Sequence, residues 1–99
     1  MLGIDRQIEG DKAVYTLKGR LDTITAPDLE KDLKAHLEPV TDLMFDFSEL
    51  AYISSAGLRV LLATQKIMNT KGVMKVRNLN GTIAEIFEVT GFSDILTIE

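Results

Sequence analysis

The stretch of sequence that decides the fold spans residues 43–62 and has the sequence LMFDFSELAYISSAGLRVLL. Its first five residues, from Leu43 to Phe47, form a nearly continuous apolar run, which is typical of a central strand buried on both faces. From Ala56 to about Thr70 the apolar residues return with the spacing of a helix. We therefore expect a buried strand, a short loop with two hydroxyl residues, and then an amphipathic helix.

The segments on either side of this stretch predict the other strands and helices. Two β-prone segments separated by turn residues predict an N-terminal hairpin. A proline near the start of one helical segment and a glycine after another mark helix boundaries. The expected strands are Ile4–Ile8, Ala13–Leu17, Leu43–Phe47, Val73–Val76 and Ile95–Ile98. The expected helices extend from a Thr25 cap with Pro27 in the first turn to just before Pro39, from about Ala56 to Thr70, and from an Asn80 or Thr82 cap to Gly91.

This order of elements, β-β-α-β-α-β-α-β, predicts one α/β domain that covers residues 1–99. Strands that alternate with helices pair in parallel through right-handed crossovers. We expect a mixed, mostly parallel sheet with an N-terminal antiparallel hairpin, packed against about three helices. A split ferredoxin-like fold would need a different number of helices, and an open flavodoxin-like sheet usually needs a longer chain.

The composition is that of an ordinary globular domain, and it excludes several kinds of chemistry. The chain has 99 residues, of which 45% are hydrophobic and 26% charged, so it should fold around one core without disulfides or metals. It contains no Cys, which excludes disulfide scaffolds, thiolate zinc sites and cysteine nucleophiles. The single histidine, His36, leaves few options for general-base catalysis or for a histidine metal site.

Charge is distributed unevenly along the chain. The formal net charge is −4, which disfavours non-specific binding to nucleic acids. Residues 50–79 nevertheless carry five basic side chains and no acidic one. The N-terminus lacks the basic and apolar segments of a signal peptide, and no apolar run is long enough to cross a membrane. We therefore expect a cytoplasmic protein with no membrane or nucleic-acid partner.

The turn before the second helix allows two interpretations of its serines. In the first, Ser54 or Ser55 is an N-cap, and the small residues Ala56 and Gly57 let the helix approach the sheet closely. In the second, one of the hydroxyls carries a phosphate, because free N–H groups and the helix dipole favour an anion at a helix N-terminus. Two adjacent serines can serve both purposes.

A catalytic role for this turn has little support in the sequence. A Ser55 nucleophile would need a general base, but the turn lacks the Gly-x-Ser-x-Gly elbow and His36 lies on another predicted helix. Neither of the glycine-rich loops that bind nucleotide phosphates occurs. We therefore expect a protein that is not an enzyme and that uses no cofactor or metal.

Three stretches of the chain carry motifs that a known family shares. They are ISSAGLRVLL at residues 53–62, LKGRLDTITA at residues 17–26 and IAEIFEVTGF at residues 83–92. In that order they resemble the phosphorylation motif Asp-Ser-Ser/Thr-Gly-Leu, the Gly-x-Leu-Asp segment and the C-terminal Thr-Gly segment of the STAS family, the anti-sigma factor antagonists. The resemblance covers essentially the whole chain and implies the STAS fold.

The resemblance implies a regulatory role that phosphorylation controls. A protein of this kind, a monomer when free, binds an anti-sigma factor that is also a serine kinase and so displaces the sigma factor, and a protein phosphatase is a further partner. Aligned on Gly57, the family's phosphoacceptor falls on Ser55 and its preceding aspartate falls on Ser54, an alternative acceptor. The implied partner-binding residues are Asp22, Thr23, Ser54, Ser55, Ala56, Gly57 and Arg59.

The sequence leaves several alternatives open. Asp22 matches a family position that contacts the kinase or supports the loop, and a turn carboxylate that only binds local N–H groups explains it equally well. Arg59 and Lys66 would suit an acidic partner, or they form a solvated helix face. The serine at position 54 also gives weight to a second function, a constitutive STAS interaction module in a transport or signalling assembly, with Ser55 never phosphorylated.

Overall fold

The computed structural model describes residues 1–99 as five strands and four helices. Along the chain these are β1 (Leu2–Glu9), β2 (Lys12–Leu21), α1 (Ala26–His36), β3 (Asp42–Ile53), α2 (Ser55–Asn69), β4 (Val73–Arg77), α3 (Gly81–Thr90), α4 (Phe92–Ile95) and β5 (Thr97–Ile98). The strands form one sheet in the order β1-β2-β3-β4-β5, in which only β1 and β2 are antiparallel. The predicted α/β fold class and the N-terminal hairpin are confirmed.

The predicted loop between β3 and α2 is wrong, because β3 does not end at Phe47. The strand continues to Ile53, and Ser54 alone separates it from α2. The pairing of β2 with β3 shifts register twice, once around the exposed Ser48 and Glu49. These irregularities let β3 continue past the two polar residues that interrupt its apolar pattern.

The predicted C-terminal strand begins later than expected. Gly91 adopts a left-handed conformation with φ 80° and ends α3, as the sequence predicts. The chain then forms the one-turn helix α4, the only helix absent from the prediction, so that β5 begins at Thr97 rather than Ile95. Phe92 in α4 lies 6.4 Å from Phe87 between ring centroids, which ties this turn to the core.

One face of the sheet is covered by the helices and forms the core. Because the strand order follows the chain order, right-handed connections place α1, α2 and α3 on the same side. Alternate residues of β2 and of the first half of β3 are buried on this face. The rings of Tyr15, Phe45, Phe47 and Phe87 follow one another across it, with centroid distances of 5.7, 5.8 and 6.1 Å.

A polar cluster fixes α1 to the hairpin. The Asp32 carboxylate accepts hydrogen bonds from Arg6 Nη1 at 2.7 and 2.9 Å and from the Tyr15 hydroxyl at 2.7 Å. Burial, together with the bond to Asp32, raises the pKa of the Tyr15 hydroxyl well above its usual value, so this group stays a donor. His36 Nδ1 lies 2.8 Å from the Asp32 carbonyl oxygen at the end of the same helix.

The opposite face of the sheet carries a second polar cluster, centred on Asp46. Its carboxylate accepts hydrogen bonds from the Ser48 N–H at 3.0 Å, Arg77 Nε at 3.1 Å and Asn78 Nδ2 at 3.0 Å. Burial alone would raise the pKa of Asp46, but these hydrogen bonds outweigh it and hold the pKa at about 2. Asp46 therefore joins β3 to the end of β4, where Asn78 has a φ of 60°.

We predict that Asp46 makes the protein less stable in acid. Because its folded pKa of about 2 lies below the ordinary value of 3.8, its contribution is complete above about pH 4 and is lost as the pH falls toward 2. A shift of this size corresponds to about 2 kcal/mol. Urea unfolding across this range should show a smaller acid loss for Asp46→Asn than for the unmodified protein.

The control for this measurement is Asp5→Asn, which changes an exposed carboxylate on β1. It should leave both the stability at neutral pH and the acid loss unchanged. An Asp46→Asn variant with the same acid loss as the unmodified protein would contradict the account of this cluster.

Candidate functional site

The β2–α1 turn and the start of α2 meet where β2 and β3 end. Leu21 is the last residue of β2 and pairs with Ile53, the last residue of β3. The Ser54 N–H donates to the Leu21 carbonyl oxygen at 2.8 Å, so the two segments stay in contact where the strands end. The β2–α1 turn, which begins at Asp22, therefore lies beside the start of α2.

Ser54 is the N-cap of α2. Its backbone is extended, with φ −94° and ψ 174°, and its Oγ accepts a hydrogen bond from the Gly57 N–H at 3.3 Å. Its carbonyl oxygen accepts the Leu58 N–H at 2.9 Å. The capping interpretation of this turn is thus confirmed, and it applies to Ser54 rather than to Ser55.

Ser55 is the first residue of α2, and its hydroxyl is exposed. The side chain forms no hydrogen bond, and the first turn of α2 contains no acidic residue. The helix N-terminus is the positive end of the helix dipole, so a negatively charged group attached here is electrostatically favoured. The arrangement leaves one serine hydroxyl engaged in capping and the next one free for modification.

Gly57 brings the start of α2 against the sheet. A Cβ at this position would lie 2.7 Å from Leu21 Cγ and 2.9 Å from Ile53 Cγ1, which is closer than real Cβ contacts. Gly57 is buried, while the preceding Ala56 is partly buried and packs against the core. The close approach anticipated from the small residues is therefore present, and it fixes the position of Ser55.

Asp22 organises the turn between β2 and α1. Its Oδ1 accepts the N–H groups of Ile24 and Thr25, each at 3.0 Å, while its own N–H donates to Thr25 Oγ1 at 2.9 Å. Hydrogen bonding from the Thr25 backbone, the strongest influence, lowers the pKa of Asp22. The carboxylate thus binds local N–H groups, as one of the two interpretations of Asp22 requires.

The predicted Thr25 cap is wrong in its chemistry. Thr25 occupies the N-cap position of α1, but its side chain accepts no hydrogen bond from the helix. The hydroxyl faces backwards and lies 2.8 Å from the Arg20 carbonyl oxygen. The Thr25 hydroxyl is therefore not available to the helix. The Ala26 N–H, at the start of α1, donates to the Asp22 carbonyl oxygen at 2.8 Å.

Basic and aromatic side chains flank the β2–α1 turn and the start of α2. The Arg20 guanidinium lies 4.4 Å from the centroid of the Tyr52 ring and 3.7 Å from the Asp22 carboxylate. Arg59 is exposed on α2 and forms no ion pair, and Lys66, two turns further on, is exposed as well. The predicted site residues in the β2–α1 turn, including the exposed Thr23, and those at the start of α2 therefore lie at one end of the molecule, with basic groups around them.

Sequence reasoning missed three residues of this surface: Arg20, Ile24 and Tyr52. Arg20 and Tyr52 come together only because they pair across β2 and β3 in a register that two irregularities shift. The residue spacing within either strand alone does not predict this contact. Ile24 stands out only when its exposure is known, since an isoleucine in a turn sequence has no distinguishing pattern.

The single histidine lies away from this surface. His36 lies at the far end of α1 and is engaged with Asp32. No three His, Asp or Glu side chains come together in a way that would hold a metal ion. No helix is long and apolar enough to span a membrane.

Comparison with known proteins identifies the family. The STAS domain matches residues 4–99. This chain belongs to the STAS domain family. The anti-sigma-B factor antagonist of Bacillus subtilis is 32% identical over 94 residues, which are 94% of this chain and 85% of the relative. The family membership predicted from the three motifs is thereby confirmed.

Solved structures share the fold. An anti-sigma factor antagonist from Mycobacterium paratuberculosis superposes with a TM-score of 0.88 and 21% identity, covering 99% of this chain and 85% of that chain. Unphosphorylated SpoIIAA, also an anti-sigma factor antagonist, superposes with a TM-score of 0.84 and 17% identity, covering 98% and 88%. The phosphorylated form of Bacillus SpoIIAA gives a TM-score of 0.76 at 17% identity, covering 98% and 91%. The STAS fold of this chain is thus established.

We predict that Gly57→Ala destabilises the protein, although alanine favours helices. The added Cβ would push α2 away from Leu21 and Ile53, at a cost of about 1–3 kcal/mol in the free energy of unfolding. Urea unfolding measures this change. Gly81→Ala is the matched control, because Gly81 also lies in the first turn of a helix and a Cβ there meets nothing within 4 Å.

Gly81→Ala should change stability by less than about 0.5 kcal/mol. Equal effects of the two substitutions would show that the close approach at Gly57 does not constrain the start of α2.

Proposed function

We propose that this STAS domain is an anti-sigma factor antagonist that is switched off by phosphorylation of Ser55. In its unphosphorylated form it binds an anti-sigma factor that is also a serine kinase, and the sigma factor is released. The observation that carries the proposal is the free, exposed hydroxyl of Ser55 at the N-terminus of α2. Ser54 is the poorer acceptor because its hydroxyl caps the helix.

The relatives support this role. The Bacillus subtilis relative is an anti-sigma-B factor antagonist, and SpoIIAA, with the same fold, has been solved in unphosphorylated and phosphorylated forms. Ser54 stands where the family motif has aspartate, and its Oγ supplies the cap that a carboxylate would supply. The departure from the motif therefore leaves the geometry of Ser55 intact.

The switch follows from the difference in hydration of the phosphate between the free protein and the complex. In the free protein a phosphate of about −1.5 to −2 charge on Ser55 stays hydrated and gains from the helix dipole. In a complex that covers Ser55, the same group loses its water. A neutral hydroxyl has a much smaller desolvation cost, so phosphorylation weakens the complex more than it disturbs the free protein.

The exposed basic side chains fit an acidic partner surface. Arg59 forms no ion pair within the chain, and Lys66 lies two turns further along the exposed face of the same helix. Such charges increase association rates and disfavour partners of the same sign. A protein phosphatase that removes the phosphate from Ser55 completes the cycle.

A second function keeps the interaction surface but omits the switch. A constitutive interaction module in a transport or signalling assembly would use the same loops with neither serine modified. The serine at position 54, where the common form of the family motif has aspartate, favours this second function. The two functions differ in a single measurable event, the transfer of phosphate to Ser55.

We predict that the anti-sigma factor kinase that binds this chain transfers phosphate from ATP to Ser55. Mass spectrometry of the modified protein should locate the phosphate on Ser55 alone. Ser55→Ala should abolish the modification, and Ser54→Ala, the matched control, should retain it because the acceptor hydroxyl is unchanged. Phosphate on Ser54 only would disprove the acceptor assignment, and phosphate on neither serine would favour the constitutive module.

A further inference from the structure

Ile24 is an exposed apolar side chain at the edge of the candidate site. Its side chain is 83% exposed, and apart from the N-terminal methionine only Val89, at 80%, is comparable among the large hydrophobic residues. Single exposed apolar residues are common on protein surfaces and carry no meaning alone. What distinguishes Ile24 is the way in which the chain holds it and the residues that surround it.

The turn that carries Ile24 is fixed by hydrogen bonds on both sides. The Ile24 N–H itself donates to Asp22 Oδ1 at 3.0 Å, and the next N–H, that of Thr25, donates to the same oxygen. The Thr25 hydroxyl accepts the Asp22 N–H at 2.9 Å and lies 2.8 Å from the Arg20 carbonyl oxygen. A side chain presented by an ordered turn loses little conformational entropy when a partner binds it.

The ends of β2 and β3, beside the turn that carries Ile24, hold residue types that dominate protein interfaces. Arg20 stacks on Tyr52 at 4.4 Å, and arginine and tyrosine are enriched among the residues that contribute most to binding. This pair lies next to the turn because Arg20 is followed by Leu21, whose carbonyl oxygen accepts the Ser54 N–H. The turn that carries Ile24 and the start of α2 that carries Ser55 therefore share one hydrogen-bonded junction.

From these contacts we infer that Ile24 is the apolar anchor of the partner interface. It enters an apolar pocket of the anti-sigma factor, and acidic groups at the rim of that pocket face Arg20 and Arg59. In this arrangement Asp22 is a positioning residue: it holds the turn that carries Ile24 and lies beside Arg20, and it does not itself contact the partner. The inference rests on the proposed function and names the chemistry of the partner surface.

The first test compares two equally exposed apolar residues. The probe is the purified anti-sigma factor kinase of the same organism, titrated calorimetrically with ADP in place of ATP. Ile24→Ala should weaken binding by at least about tenfold, as expected for an interface anchor. Val89→Ala should change the affinity by less than about twofold, because Val89 lies in the last turn of α3, which is not part of the candidate site.

Neither substitution removes a buried contact, so both variants should retain the unfolding midpoint of the unmodified protein. Ile24→Ala with unchanged affinity would overturn the inference, while the proposed function would stand. A wild-type chain that does not bind the anti-sigma factor at all would instead overturn the proposed function, and the inference with it. The two failures are thus distinguishable in one series of titrations.

The second test separates positioning from contact at Asp22. Asp22→Asn keeps an oxygen that accepts the N–H groups of Ile24 and Thr25, whereas Asp22→Ala removes it. Binding should fall by less than about threefold for Asp22→Asn and by about tenfold for Asp22→Ala. Equal losses for both variants would mean that the charge of Asp22 matters and the hydrogen bonds that hold the turn do not, which would contradict its role in positioning Ile24.

Discussion

The hydrogen bond from the Ser54 N–H to the Leu21 carbonyl oxygen, at 2.8 Å, holds the site together. It joins two parallel strands one residue beyond their last pair, and it does so where the chain enters α2. Gly57 allows the helix to lie directly on Leu21, so the helix start cannot drift away from the β2–α1 turn. Without this junction the free hydroxyl of Ser55 and the ordered turn at Asp22 would be two unrelated features.

Basic residues that are clustered along the sequence are dispersed in the folded protein. Residues 50–79 carry five basic side chains, but they do not form one basic patch. Arg77 and Lys75 pair with Asp46 and Glu99 on the sheet, and Lys71 Nζ donates to carbonyl oxygens at the end of α1. Arg59 and Lys66 are left exposed on α2, on the helix that begins with Ser55. On α2, the basic surface near the proposed switch is therefore small and consists of two side chains on one face of the helix.

Much of the fold was predictable because its strands and helices have strong periodic patterns. The hairpin, the parallel order, the three main helices, the Asn80 cap and the Gly91 terminus all follow from local chemistry. The errors occur where tertiary structure overrides that chemistry. β3 continues through polar residues by shifting register, and the Thr25 hydroxyl donates to the Arg20 carbonyl oxygen instead of capping α1. The serine turn was found from sequence, whereas Arg20, Tyr52 and Ile24 required the cross-strand register and the exposed surface.

The central claim is that one phosphate on Ser55 changes a binding surface and leaves the fold in place. The most direct measurement is the affinity of the fully Ser55-phosphorylated protein for the anti-sigma factor, compared by calorimetry with that of the unphosphorylated protein. The account predicts binding weaker by at least about tenfold, with an unfolding midpoint that changes little. Equal affinities for the two forms would contradict it.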